Sequence, residues 1–114
     1  MSAITTHILD ISTGKPAADV MLLLEQKDPA LGWLKIGDGL TNADGRHSNL
    51  VPPNVQITAG HYRLVFETGA YFAGQGITCF YPQVTIAFTI RDISQHYHLP
   101  LLLGPFGYST YRGS

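Results

Sequence analysis

Apolar side chains recur at every second position in several short stretches of this chain, and turn-forming residues bound each stretch. From Ile4 to Ile11, Ile4, Thr6 and Ile8 share one face, while Thr5, His7 and Leu9 share the other, which is the period of a β-strand. Asp10 to Pro16 carries Ser-Thr-Gly-Lys-Pro turn chemistry. Val20 to Glu25 is apolar on both faces, as expected of a strand inside a sandwich or against a partner. Lys27 to Gly32 reads as a turn, and Trp33 to Gly37 begins another strand. The Asp44-Gly45 pair marks a tight turn that delivers Arg46 directly after it. In His61 to Glu67, Tyr62, Leu64 and Phe66 point inward. In Val84 to Arg91 the inward set is Val84, Ile86, Phe88 and Ile90. Thr68 to Gln75 is the one stretch that reads as helix, with Thr68 as cap and Gly76 ending it. Gln95 to Leu103 and Tyr108 to Gly113 close the chain as a hairpin around Gly104-Pro105-Phe106-Gly107. Seven or eight short strands with one short helix predict an all-β, antiparallel β-sandwich spanning residues 1–114 as a single domain.

Composition sharpens this picture at three points. Of the 114 residues, 13% are charged and 45% hydrophobic, so the surface is poor in charge for a domain of this size. That favours burial of part of the surface in an oligomer. A net charge of −1 supplies no electrostatic footprint for nucleic acid or anionic membrane, and no apolar run approaches a membrane span. The single cysteine, Cys79, excludes an intrachain disulfide. With no signal-peptide pattern at the N-terminus, the expected compartment is the cytoplasm.

The candidate chemistry lies near the two ends. His96 and His98 are two apart in a predicted strand, so both side chains leave on one face. Such a pair can ligate zinc, supply a general base near neutral pH, or be two surface histidines. Cys79, His7, His47 and His61 show no recognised metal-site spacing to it. A lone His7 among threonines is ordinarily a half-exposed strand residue. Arg46 is ordinarily a solvated charge, and its functional reading is recognition of a planar, oxygen-rich ligand through the guanidinium fork. No serine has a nucleophile-elbow context, and the tyrosines and phenylalanines are most simply core or interface aromatics. The terminal Tyr111-Arg112-Gly113-Ser114 puts a phenol, a guanidinium and a hydroxyl where chains are usually frayed.

Thr6-His7-Ile8-Leu9-Asp10 with Gly14-Lys15-Pro16-Ala17, and Leu99-Pro100-Leu101-Leu102-Leu103 with Pro105 to Ser114, resemble the two ends of the transthyretin superfamily. The Tyr-Arg-Gly-Ser ending resembles one branch of it, the 5-hydroxyisourate hydrolases of urate breakdown; true transthyretins carry lysine where this chain has His7. The resemblance implies a transthyretin-like sandwich assembled as a homotetramer, a dimer of dimers with sites in the central channel. It implies hydrolysis of 5-hydroxyisourate to 2-oxo-4-hydroxy-4-carboxy-5-ureidoimidazoline without metal or organic cofactor. Carried over residue by residue, it assigns catalysis to His7, Arg46 and His98, and substrate binding to His7, Arg46, Tyr111, Arg112 and Ser114. It assigns nothing to His96. Gly104 stands where many members have serine, which is expected to alter a turn and not the chemistry. Two rival readings are a non-catalytic carrier of a small aromatic ligand and a zinc hydrolase built on His96 and His98.

Overall fold

The computed structural model describes residues 3–114. Seven strands of four or more residues form the sandwich: β1 (Ile4–Asp10), β3 (Met21–Asp28), β4 (Gly32–Leu40), β6 (Gly60–Phe66), β7 (Val84–Ile90), β8 (Tyr97–Gly104) and β9 (Gly107–Thr110). Two-residue pieces, β2 (Lys15–Pro16) and β5 (Arg46–His47), pair with β1, and one helix, α1 (Thr68–Ala73), follows β6. One sheet runs β2-β1-β8-β9, with β5 also on β1; the other runs β4-β3-β6-β7. The all-β sandwich with one short helix is therefore what the alternation predicts.

Its antiparallel character needs one correction. β1 and β8 pair in parallel, from Ile4 opposite Tyr97 to Asp10 opposite Leu103. A parallel pair needs a long connection, and here all the intervening strands supply it. Turn residues signal hairpins between sequence neighbours, so this pairing leaves no local mark.

The inward faces follow the period of two. Ile4 and Ile8 of β1 meet Leu99, Leu101 and Leu103 of β8, and Leu22, Leu24, Leu64, Phe66, Val84 and Ile90 face them from the other sheet. Burying one such side chain is worth about 1.5–3 kcal/mol. Leu23 is only half-buried and Met21 is exposed, so the expectation of two apolar faces on this strand holds for one face only in the protomer. β3 also runs on to Asp28, through what was expected to be a turn, and that turn is confined to residues 29–31.

Two locks hold the sheet that carries the site. Asp10 is buried at the end of β1, where its carboxylate accepts from the Ser12 N–H (2.9 Å) and hydroxyl and from the Tyr71 hydroxyl (2.8 Å). Burial pushes its pKa up, but these donors more than offset that and hold it below the usual carboxylate value. The second lock is the Asp44-Gly45 turn. Gly45 has φ +74°, and a Cβ there would sit 2.5 Å from the Ile8 carbonyl oxygen. The Asn42 side chain accepts from the N–H groups of Asp44 and Arg46, both at 3.0 Å.

The helix departs from expectation at both ends. Glu67 occupies the cap position with no side-chain cap bond, and the Thr68 hydroxyl is buried without a partner among the described residues. Packing of Thr68 and Phe72 against the core, not capping, holds this turn and a half. The helix stops at Ala73, with Gly74 to Gly76 in a turn that closes on the left-handed Gly76 (φ +69°).

Candidate active site

The site grows from the outward face of β1. Because Ile4, Thr6 and Ile8 are drawn into the core, Thr5 and His7 must point away from it. Directly opposite residues on paired strands share a face, so each neighbour of β1 adds to the same surface. The β5 register sets Arg46 against His7, and the β8 register sets His98 against Thr5 and Pro100 against His7. The C-terminal residues then return along β8. β9 ends at Thr110, two residues break away, and Gly113 pairs again with His98 through its N–H to the His98 carbonyl at 2.8 Å. The final strand expected from Tyr108 to Gly113 is thus interrupted at Tyr111 and Arg112.

A cleft of about 430 Å³ opens on this face, and Thr5, Arg46, His96, His98 and Ser114 line it together with Asn42 and Ser48. Of the six residues predicted from sequence, Arg46, His98 and Ser114 meet there, with His7 beside them on the same face. Tyr111 and Arg112 do not. They line a second, more apolar cavity of about 270 Å³ with Ile86, Phe88 and Leu99, which His98 also borders. Arg112 lies over the Tyr97 ring, 4.5 Å from its centroid, and donates to Gln95 Oε1 at 2.8 Å. In the protomer this guanidinium is committed away from the cleft.

His98 is half-buried and electrically singled out. Burial first, then the Arg46 guanidinium and the rings of His96 and His7, lower its pKa from the ordinary histidine value, against an opposing hydrogen bond with the Thr5 backbone. The ring is therefore held neutral near pH 7, as a proton acceptor must be. The exposed guanidinium of Arg46 contributes a fixed positive charge and a fork of donors to the same cleft.

Two further residues join this group: Thr5, which the sequence reading does not single out, and His96, to which the family resemblance assigns no role. The Thr5 hydroxyl lies 2.8 Å from Nδ1 of His98 and 2.9 Å from Nε2 of His96. The period of two could have found Thr5 as well, since it shares the face of His7, just as it places His96 on the face of His98. His47 also borders the cleft, with its ring packed against Gly39, where a Cβ would touch it at 2.5 Å. His61 bonds Thr89 on the other sheet. Among the described residues no three histidine, cysteine or carboxylate groups converge to hold a metal ion.

Residues 4–113 match the model of the HIUase/Transthyretin family. A probable 5-hydroxyisourate hydrolase of Caenorhabditis elegans is 46% identical, over 99% of this chain and 82% of its own. The solved 5-hydroxyisourate hydrolase of Klebsiella pneumoniae superimposes with a TM-score of 0.86 at 41% identity, covering 100% of both chains. Sea bream transthyretin, solved in complex with thyroxine, superimposes with a TM-score of 0.91 at 38% identity, over 97% of this chain and 94% of its own.

Proposed function

The chain belongs to the HIUase/Transthyretin family, and on that premise we propose that it works as a hydrolase of 5-hydroxyisourate in urate degradation, with the cleft on the outer face of β1, β5 and β8 as its active site. The backbone alone does not choose between enzyme and carrier, because a thyroxine-binding relative superimposes as closely as a hydrolase does. The observation that carries the reading is the meeting of Arg46, His98 and Ser114 in one cleft, with His7 opposite Arg46.

The chemistry follows from those groups. The substrate is a planar, carbonyl-rich bicycle with a strained acyl–nitrogen bond. His98 takes a proton from water, and the hydroxide formed adds to the ring carbonyl. Arg46 orients the oxygens of the ligand and stabilises the negative charge that develops on the attacked one. The ring C–N bond then breaks, and the leaving nitrogen takes back the proton held by His98. The product is 2-oxo-4-hydroxy-4-carboxy-5-ureidoimidazoline. His7 flanks the reacting face as the second member of the histidine pair, and the Ser114 hydroxyl closes the cleft by hydrogen bonding. These steps call on water, imidazole and guanidinium alone, and they require neither metal nor organic cofactor.

Tyr111 and Arg112 enter the site in the assembled protein, a homotetramer built as a dimer of dimers with the clefts where the dimers meet. Three features support assembly. β7 and β9 are edge strands, Phe80, Phe106 and Tyr111 are 60–70% exposed, and few charges guard the surface. No helix among the described residues is long and apolar enough to cross a membrane, and the protein acts in the cytoplasm.

The test is direct. With urate and urate oxidase supplying fresh 5-hydroxyisourate, the wild-type protein should speed the decay of its absorbance. His98→Ala and Arg46→Ala variants, still assembled, should lose about 10²–10⁴-fold in kcat/KM. Wild-type kinetics in both would remove the assignment, and stoichiometric binding without turnover would favour the carrier.

A further inference from the structure

The Thr5 hydroxyl stands between two imidazoles, 2.8 Å from Nδ1 of His98 and 2.9 Å from Nε2 of His96. Its oxygen is nearly buried on β1, at 7% exposure for the residue. A hydroxyl carries one hydrogen, and each of these contacts needs one. The oxygen has two lone pairs and could accept from both rings, but the Thr5 hydrogen would then find no acceptor among the described residues. One ring therefore donates to Thr5 while the other accepts from it. Two arrangements of neutral rings satisfy both contacts and also give the Thr5 hydrogen a partner. In the first, His98 Nδ1–H donates to Thr5 and Thr5 donates to His96 Nε2, which leaves a bare lone pair on Nε2 of His98. In the second the chain runs in reverse, and Nε2 of His98 carries a hydrogen.

The Thr5 hydroxyl engages Nδ1 of His98, so Nε2 is the nitrogen available to water or substrate. The positive charge that shares the cleft with His98 decides between the arrangements. Arg46 lines the same cleft, and a guanidinium favours a bare nitrogen over an N–H pointing towards it. Neutral histidine in water prefers the opposite form, with hydrogen on Nε2. An inversion of that preference needs an acceptor held at Nδ1. Thr5 is that acceptor, provided something takes the hydrogen of Thr5 in turn. The exposed His96 does so through Nε2.

We propose that Thr5 is a positioning residue whose hydroxyl, braced by His96, fixes neutral His98 as its Nδ1–H tautomer and so presents the Nε2 lone pair as the catalytic base. This rests on the reading of His98 as the base. The role is that of an orienting group behind a catalytic histidine, filled here by a neutral hydroxyl and a second imidazole. It also gives the His-x-His spacing a purpose other than metal binding. Thr5 and His96 touch no reacting atom; they act through His98.

The experiment reads the tautomer itself, by long-range ¹H–¹⁵N correlation on histidine-labelled protein above the pH at which His98 takes up a proton. The wild-type protein should show hydrogen on Nδ1 of His98. Thr5→Val keeps the shape and removes the bridge, so His98 should revert to hydrogen on Nε2, and kcat should fall about ten- to a hundredfold with little change in KM. Thr5→Ser should recover the wild-type tautomer and most of the lost kcat. His96→Phe, at an exposed position, leaves Thr5 free to donate to His98, and should give the same reversal and loss even if Thr5→Val fails to fold. Hydrogen on Nε2 in the wild-type protein overturns the proposal. So does an unchanged tautomer in Thr5→Val or His96→Phe, or a reversed tautomer with unchanged kcat. Absence of 5-hydroxyisourate turnover in the wild-type protein would instead refute the assigned reaction, since the tautomer is read without substrate.

Discussion

A Cβ built on Gly113 would sit 2.7 Å from Cδ2 of His98 and 3.0 Å from Cγ of Pro100. The glycine of the terminal Tyr-Arg-Gly-Ser is thus a matter of clearance, since only a residue without a side chain lets the backbone lie along β8 at the His98 ring. Its N–H to the His98 carbonyl fixes the register of the tail, and Ser114 reaches the cleft because Gly113 is where it is. Gly113→Ala should push the tail or the ring aside by a few tenths of an ångström or more. We expect kcat/KM for 5-hydroxyisourate to fall about ten- to a hundredfold, with the melting temperature nearly unchanged because the bridge lies outside the core. An alanine variant with wild-type kinetics would show that the tail does not set the geometry of His98.

Among the elements, α1 is tied to the sheet that carries the cleft by a polar contact from the Tyr71 hydroxyl to the buried Asp10 carboxylate at the end of β1. Burial, and the hydrogen bond to Asp10, push the Tyr71 phenol above its usual pKa while Asp10 is held below its own. A carboxylate with a depressed folded pKa adds stability that is present above its unfolded pKa and is lost as pH falls through the folded one. Tyr71→Phe removes one of the donors that keep Asp10 ionised. It should destabilise the protein by about 1–3 kcal/mol at neutral pH, and the gap to wild type should narrow in acid as Asp10 protonates. Denaturant melts at pH 7 and pH 3 check this, and a gap independent of pH would assign the loss to packing alone.

At the scale of the whole molecule, the sandwich leaves β7 and β9 as open edges and several aromatics uncovered, while Tyr111 and Arg112 face away from the cleft within one protomer. Both facts are reconciled if copies of the chain meet on these surfaces. Sedimentation equilibrium at micromolar concentration should then give four times the 12.4 kDa chain mass. A monomer with full activity would dissociate catalysis from assembly and leave Tyr111 and Arg112 outside the site.

The alternation of apolar and polar residues determined the strands, the inward faces and the outward position of His7, because burial of one face fixes where the other points. The Asp44-Gly45 pair determined that Arg46 follows a tight turn, since Gly45 alone tolerates both the positive φ and the contact with Ile8. The role of the ending was legible only through its likeness to a family. Four things were decided by tertiary structure. The parallel register of β1 with β8 brought residues some ninety positions apart face to face. The helix ends were set by packing where the local cap signal pointed elsewhere. Arg112 was captured by Tyr97 and Gln95 and turned from the cleft. The Thr5 bridge arose because one hydroxyl on β1 falls within hydrogen-bonding reach of two rings on the segment that forms β8. Periodicity records which way a side chain leaves its own strand. The strand that lies beside it depends on the energy of the whole core, and no short stretch of sequence carries that information.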